Sequence, residues 1–243
     1  IVRNKTQLQK TVLDEAIKLK FVGRLGVGLD NIDKEYCDKK NIHIQIASGI
    51  NADSVAEYVI GSSLHLIKNI TLFNYETKKG MWPRSSFNSR ELKEKIFGLI
   101  GFGAIGKKVC KIVQSFGAKV ITYDPYIDKK LENEFNLKFM PFDDVISNSD
   151  IISIHVPLNN ETKNLINTNA FKKMSKKPIL INTSRGSIVN EEDLINAYKN
   201  KVISGFALDV FENEPIEEKF YSKIDDTFNC IITPHISGVT EES

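Results

Sequence analysis

A chain of 243 residues is long enough for one or two domains that each bury a core, and its apolar segments stay strand-length or amphipathic, short of the roughly 20 residues a membrane span needs. Charged residues make up 26% and the formal net charge is only +2, a balance that points away from a nucleic-acid or membrane surface. The three cysteines, Cys37, Cys110 and Cys230, are far apart and odd in number, so they suggest neither a metal pattern nor a disulfide framework and fit a reducing cytosol.

In chain order, Ile1-Val2-Arg3 reads as the end of a strand, and residues 7–19 read as helix-like. Residues 21–25 form a short buried strand that ends at Gly26-Val27-Gly28, a helix runs from about 32 to 40, and residues 42–46 make a second strand. Strands separated by helices imply a parallel sheet, so residues 1–51 are read as a smaller α/β domain, entered when its first strand is already under way. From 53 to 70, Val55, Ala56, Val59, Ile60, Leu64 and Ile67 keep a helical period, which predicts a connector helix. Residues 75–94 are polar and loop-rich.

The pattern then sharpens. Ile96-Phe97-Gly98-Leu99-Ile100 is a strand, Gly101-Phe102-Gly103-Ala104-Ile105-Gly106 a tight turn, and Val109, Ile112 and Phe116 mark the helix that follows. A second strand, 119–123, ends in Asp124, eighteen residues past the last glycine. Strands near 137–140, 150–155, 178–182, 204–209 and 229–233, with helices near 142–147 and 191–200, continue the alternation. The prediction is an open, doubly wound parallel sheet of the Rossmann type over residues 52–237, with the smaller domain before it. Residues 238–243 read as the start of a return helix, so both ends look interrupted.

The glycine turn carries chemistry. Gly101 suits a tight turn, Gly103 leaves room for a pyrophosphate, and Gly106 lets helix and strand pack closely. Phosphates would sit on the helix N-terminus, where unpaired N–H groups favour negative charge. Asp124 can accept both ribose hydroxyls and would repel a 2′-phosphate, so the cofactor is read as NAD rather than NADP. A glycine triplet alone can be no more than a turn; its strand, helix and acid make the stronger case.

Residues with chemistry also sit where strands end. Arg185 follows Asn182-Thr183-Ser184, Glu214 follows the strand ending near Asp209, and His235 follows Thr233-Pro234. Arg185 offers a planar, permanent cation for a carboxylate. His235 can exchange a hydroxyl proton near neutral pH, with Glu214 setting its tautomer. The plainer readings are an ion-paired surface arginine, a solvated acidic loop and a hydrogen-bonded turn histidine, and spacing alone does not decide among them.

These residues resemble a known family. The stretches 26–33 and 51–57, the glycine turn, His155-Val156-Pro157-Leu158, 182–186, 209–215 and 233–235 look like the D-isomer-specific 2-hydroxyacid dehydrogenases along essentially the whole chain. The resemblance implies an oxidoreductase with Arg185, Glu214 and His235 as catalytic residues. It implies cofactor contacts at Gly101, Gly103, Ala104, Ile105, Gly106, Asp124, Val156, Pro157, Thr183, Ser184, Gly238 and Asp209, the last holding the carboxamide. Gly26, Val27, Gly28 and Asn51 would face the substrate. A homodimer or higher homo-oligomer is implied as well, and a cytoplasmic location and no metal, nucleic-acid or membrane partner are expected.

Within the family, residues 2–6 and 51–61 look most like the phosphoglycerate dehydrogenases, which oxidise D-3-phosphoglycerate to 3-phosphohydroxypyruvate at the start of serine synthesis. Arg3, with Lys5 as a second candidate, would then meet the substrate phosphate, although both could be solvated loop charges. The alternatives are a glyoxylate, hydroxypyruvate or D-lactate reductase, or an NAD-sensing binding protein like the transcriptional corepressor that shares the fold. Tyr58 stands where many members carry His, and Ile236-Ser237-Gly238-Val239-Thr240 departs from the commoner run after the histidine.

Overall fold

The computed structural model describes residues 1–3, 6–26, 28–47, 49–85, 89–225 and 229–242. Its contacts separate two compact units, residues 1–52 and 53–242.

In the N-terminal unit, α1 (Lys10–Glu15), β1 (Phe21–Arg24), α2 (Lys34–Lys39) and β2 (His43–Ile46) alternate. The strands pair in parallel, from Phe21 opposite His43 to Arg24 opposite Ile46. Leu8, Leu13, Val22, Ile32, Cys37 and Ile42 fill a small core. Asp33 caps α2 by accepting the Tyr36 N–H at 2.9 Å, which satisfies one of the donors a helix start leaves unpaired.

The second unit follows α3 (Ala52–Lys68) and α4 (Ile70–Lys78) with a run of strands and helices. They are β3 (Ile96–Ile100), α5 (Ala104–Ser115), β4 (Lys119–Tyr123), α6 (Leu131–Phe135), β5 (Lys138–Phe139), α7 (Phe142–Asn148) and β6 (Ile151–Ile154). After these come α8 (Thr168–Lys173), β7 (Ile179–Asn182), α9 (Glu191–Lys199), β8 (Gly205–Leu208), α10 (Glu218–Tyr221) and β9 (Cys230–Ile232). Among the described residues, seven parallel strands lie in the order β5-β4-β3-β6-β7-β8-β9. The order reverses at β3, so a crevice opens beyond the carboxyl ends of β3 and β6, where ligands of such sheets bind.

Strand side chains alternate between two cores. Phe97, Leu99, Ile151, Ile179, Ile181 and Ala207 pack with Ala56, Val59, Val109 and Val113 of α3 and α5. Ile100, Ile152, Ile154, Leu180, Phe206 and Leu208 pack on the other face with Val145, Ile146, Phe171, Leu194 and Ile195 of α7 to α9. Every residue of β6, β7 and β8 is buried, which explains their near-continuous apolar sequences. Among the described residues no helix is long and apolar enough to cross a membrane.

Several expectations need correction. The helix at 53–70 stops at Lys68, where Asn69 turns left-handed at φ +54°, and α4 extends the helical region into the segment read as loop. No residue of α4 is buried, so no apolar stripe marked it. The helices α6, α8 and α10, of four to six residues, are too short to show a period. Turns lie at 237–238 and 241–242, and the bond from Val239 N–H to Ile236 O at 2.9 Å closes the first of them.

His155, just past β6, is half-buried, with its ring turned inward. Both ring nitrogens are shut off from solvent without a hydrogen-bond partner among the described residues, and burial pushes the imidazole pKa down from 6.5 to about 3. Between these values the unfolded chain binds a proton that the folded chain does not, so folding stability falls as pH drops through that window. In urea titrations, His155→Phe is expected to lose less stability than the unaltered protein between pH 7 and pH 5; equal losses would place the acid sensitivity elsewhere.

Candidate active site

The turn after β3 is built by steric exclusion. Gly101 adopts φ +99°, and a Cβ there would lie 2.7 Å from His155 O. A Cβ on Gly106 would lie 2.5 Å from Gly101 O, so the helix packs this closely only without one. A Cβ on Gly103 would meet nothing within 4 Å among the described residues, which leaves open space above the start of α5. Among the described residues no side chain caps that helix, and Ala104 and Ile105 lie in its first turn. Asp124, at the end of β4, ties itself to this turn: Oδ2 accepts the Phe102 N–H at 2.8 Å and Oδ1 the Tyr126 N–H at 3.0 Å. An uncapped helix start, an open approach and a carboxylate beside them fit a dinucleotide's pyrophosphate and ribose.

Beyond β6, Val156 packs within 3.0 Å of where a Gly101 Cβ would sit, and the exposed Pro157 accepts the Thr162 hydroxyl through its carbonyl at 2.6 Å. Beyond β7, Asn182 shapes the chain. Its Oδ1 accepts the Ser184 N–H at 3.0 Å and its Nδ2 donates to Arg185 O at 2.9 Å. Ser184 Oγ donates back to Ile154 O at 2.7 Å, and the buried Thr183 hydroxyl has no protein partner among the described residues. Arg185 is thereby held at the strand end, with Nη1 donating to Ser184 O at 2.7 Å. The next residue, Gly186, abuts the backbone of the β8 loop so closely that a Cβ would lie 1.8 Å from Phe211 C. Arg185 and the loop bearing Glu214 are neighbours for this reason.

His235 and Glu214 meet. Nδ1 of the imidazole lies 2.8 Å from Glu214 Oε2, and Glu214 Oε1 accepts the Phe211 N–H at 3.2 Å. The two side chains are 32% and 39% exposed, so the pair is open to solvent or a ligand rather than sealed in the core. His235 sits at φ +57°, a conformation uncommon for a side-chain-bearing residue. Asp209 helps to hold it there. Its buried carboxylate accepts the Thr233 hydroxyl at 2.6 Å and the Ile236 and Ser237 N–H groups at 2.8 Å each, so both oxygens are engaged by the His235 loop.

The remaining expected positions lie as follows. Gly238 follows Ser237 in the same turn. In the N-terminal unit, Gly26 takes φ +133°, Gly28 O accepts Arg24 Nε at 3.0 Å, and Asn51 lies in the turn before α3. Arg3 is exposed, and its carbonyl accepts Asn31 Nδ2 at 3.0 Å. Val27 and Lys5 lie outside the described residues. Among the described residues no group of three or more His, Cys, Asp and Glu side chains is arranged to hold a metal ion.

Sequence reading did not single out the shaping roles of Asn182 and Thr233. The Asn-x-Ser spacing of an Asx turn could have flagged the first. Nothing local marks the second, whose partner is on another strand.

The family model described as D-isomer specific 2-hydroxyacid dehydrogenase, NAD binding domain, matches residues 60–237. Hydroxypyruvate reductase of Thermotoga maritima is 35% identical over 243 residues, covering 100% of this chain and 78% of that protein. D-3-phosphoglycerate dehydrogenase of Methanocaldococcus jannaschii is 37% identical over 244 residues, and the chain spans 46% of its length. The solved D-lactate dehydrogenase from Aquifex aeolicus, complexed with NAD and lactic acid, superposes with a TM-score of 0.90 at 33% identity over 99% of this chain and 76% of that one. The chain therefore belongs to the D-isomer specific 2-hydroxyacid dehydrogenases, which are NAD-dependent oxidoreductases, and residues 60–237 are its NAD-binding domain.

Proposed function

We propose that this protein interconverts a D-2-hydroxy acid and its 2-keto acid, with His235, Glu214 and Arg185 as the working side chains. The observation that carries the reading is the 2.8 Å contact between His235 Nδ1 and Glu214 Oε2. With Nδ1 engaged, Nε2 remains as the nitrogen for proton transfer. It takes the hydroxyl proton in oxidation and returns it in reduction. Glu214 fixes the tautomer and stabilises the imidazolium formed on the way. Arg185 pairs with the substrate carboxylate and polarises the neighbouring carbonyl. Bound NAD supplies the hydride acceptor in one direction and, when reduced, the donor in the other.

Gly101, Gly103, Ala104, Ile105 and Gly106 would cradle the pyrophosphate, and Asp124 the ribose hydroxyls. Val156, Pro157, Thr183, Ser184 and Gly238 would line the remaining length of the dinucleotide. Asp209 would serve the carboxamide only through lone pairs left over from its bonds to the His235 loop. Gly26, Val27, Gly28 and Asn51 are the proposed contacts for the substrate carboxylate.

The proposed substrate pair is D-3-phosphoglycerate and 3-phosphohydroxypyruvate, with Arg3 as the cation for the phosphate, and the proposed assembly is a homodimer or larger homo-oligomer. Support comes from the named phosphoglycerate dehydrogenases of Methanocaldococcus jannaschii and other organisms. The rival, a reductase of unphosphorylated keto acids, draws on the Thermotoga hydroxypyruvate reductase, of which the chain covers a larger share.

His235→Asn is expected to lower kcat by about 10²- to 10⁴-fold while NADH affinity, read by fluorescence titration, stays unchanged. Near-normal turnover in that variant would remove His235 from proton transfer. The substrate question is decided by following NADH absorbance with paired keto acids. 3-Phosphohydroxypyruvate should outperform hydroxypyruvate and glyoxylate, and Arg3→Gln should raise its KM by about tenfold or more without altering kinetics on unphosphorylated acids. Equal or better kinetics on hydroxypyruvate would favour the rival.

A further inference from the structure

Two hydroxyl groups with no task in hydride transfer converge on the loop that presents His235. Both come from α3, at positions four apart and therefore on one helical face. Ser54 Oγ donates to Ser237 O at 2.6 Å, and the Tyr58 hydroxyl lies 2.6 Å from Thr233 Oγ1. Their targets are the second residue before His235 and the second residue after it.

The direction of the Tyr58 bond follows from its neighbours. Thr233 has a single hydroxyl proton and gives it to Asp209 Oδ1 at 2.6 Å, because an ionised carboxylate can only accept. Towards Tyr58 the threonine oxygen must therefore accept, and the phenol must donate. Burial pushes the Tyr58 pKa above its ordinary 10.0, so the donor proton is present at neutral pH. A directed chain results, from Tyr58 to Thr233 to Asp209, and the carboxylate at its end also holds the Ile236 and Ser237 N–H groups. His235 lies inside this frame at φ +57°, a backbone state that persists only where the surroundings over-determine it.

We propose that Tyr58, together with Ser54, is a positioning residue: α3 clamps the loop on both sides of His235 and so fixes where its ring meets Glu214. The proposal rests on the reading of His235 as the proton-transfer group. It gives a specific task to the tyrosine at a position where the sequence departs from the commoner histidine.

The test uses the full chain with NADH and 2-keto acids, and measures backbone amide exchange at Ile236 and Ser237 beside turnover. Tyr58→Phe removes one oxygen and keeps the ring. It is expected to speed exchange at both amides by about tenfold and to lower kcat by a similar factor, with NADH affinity unchanged. Thr233→Val should act in the same direction, and Tyr58→Phe added to it should cause no further change, because both act through one chain. A contribution from packing alone would make the two substitutions additive. Additive effects, unaltered exchange in Tyr58→Phe, or unaltered kcat in an otherwise active enzyme each overturn the proposal. If the unsubstituted protein reduces none of the keto acids, the dehydrogenase reading fails separately, and the exchange rates still decide whether the clamp exists.

Discussion

The geometry of the site depends on one carboxylate that is cut off from water. Asp209 is completely buried at the end of β8, and an ionised group there is tolerable only if hydrogen bonds replace its hydration. The donors it finds belong to Thr233, Ile236 and Ser237, all in the segment that carries His235. Satisfying Asp209 therefore dictates the path of that segment. The left-handed turn at His235 and the approach of its Nδ1 to Glu214 follow from that path.

Asp124, half-buried at the end of β4, also recruits backbone donors on the other side of the reversal in strand order. Its two oxygens accept backbone N–H groups from Phe102 and Tyr126, which binds the end of β4 to the turn after β3. The fixed negative charge lies beside the uncapped start of α5, whose unpaired N–H groups favour the opposite sign. A dinucleotide matches both, with phosphates over the helix and ribose hydroxyls towards the acid. A 2′-phosphate would face repulsion there, which is the physical reason for the proposal that Asp124 meets the ribose hydroxyls.

Much of this was legible in the sequence because the signals are local or periodic. β3, the glycine turn, α5 and β4 were readable as a unit, since Gly101 and Gly106 answer constraints set by atoms nearby in the fold and Gly103 keeps the approach to the turn open. Buried parallel strands such as Ile151–Ile154 and Ile179–Asn182 announce themselves as apolar runs. The helices that escaped notice lack such marks. α4 has no buried face, and α8 was betrayed only by its cap, Asn167, which accepts the N–H groups of Asn169 and Ala170.

The sequence by itself determined the alternation of strands and helices and the glycine turn with its acid, because period and spacing are properties of a single chain segment, and its resemblance to a family marked Arg185, Glu214 and His235 as candidates. Only the tertiary structure decided that Glu214 touches His235, that Gly186 brings the Arg185 turn against the Glu214 loop, and that Asp209 is spent on holding the histidine loop. Those facts depend on which strand ends lie side by side and on where a buried charge finds its donors, and both are settled by the register of the whole sheet.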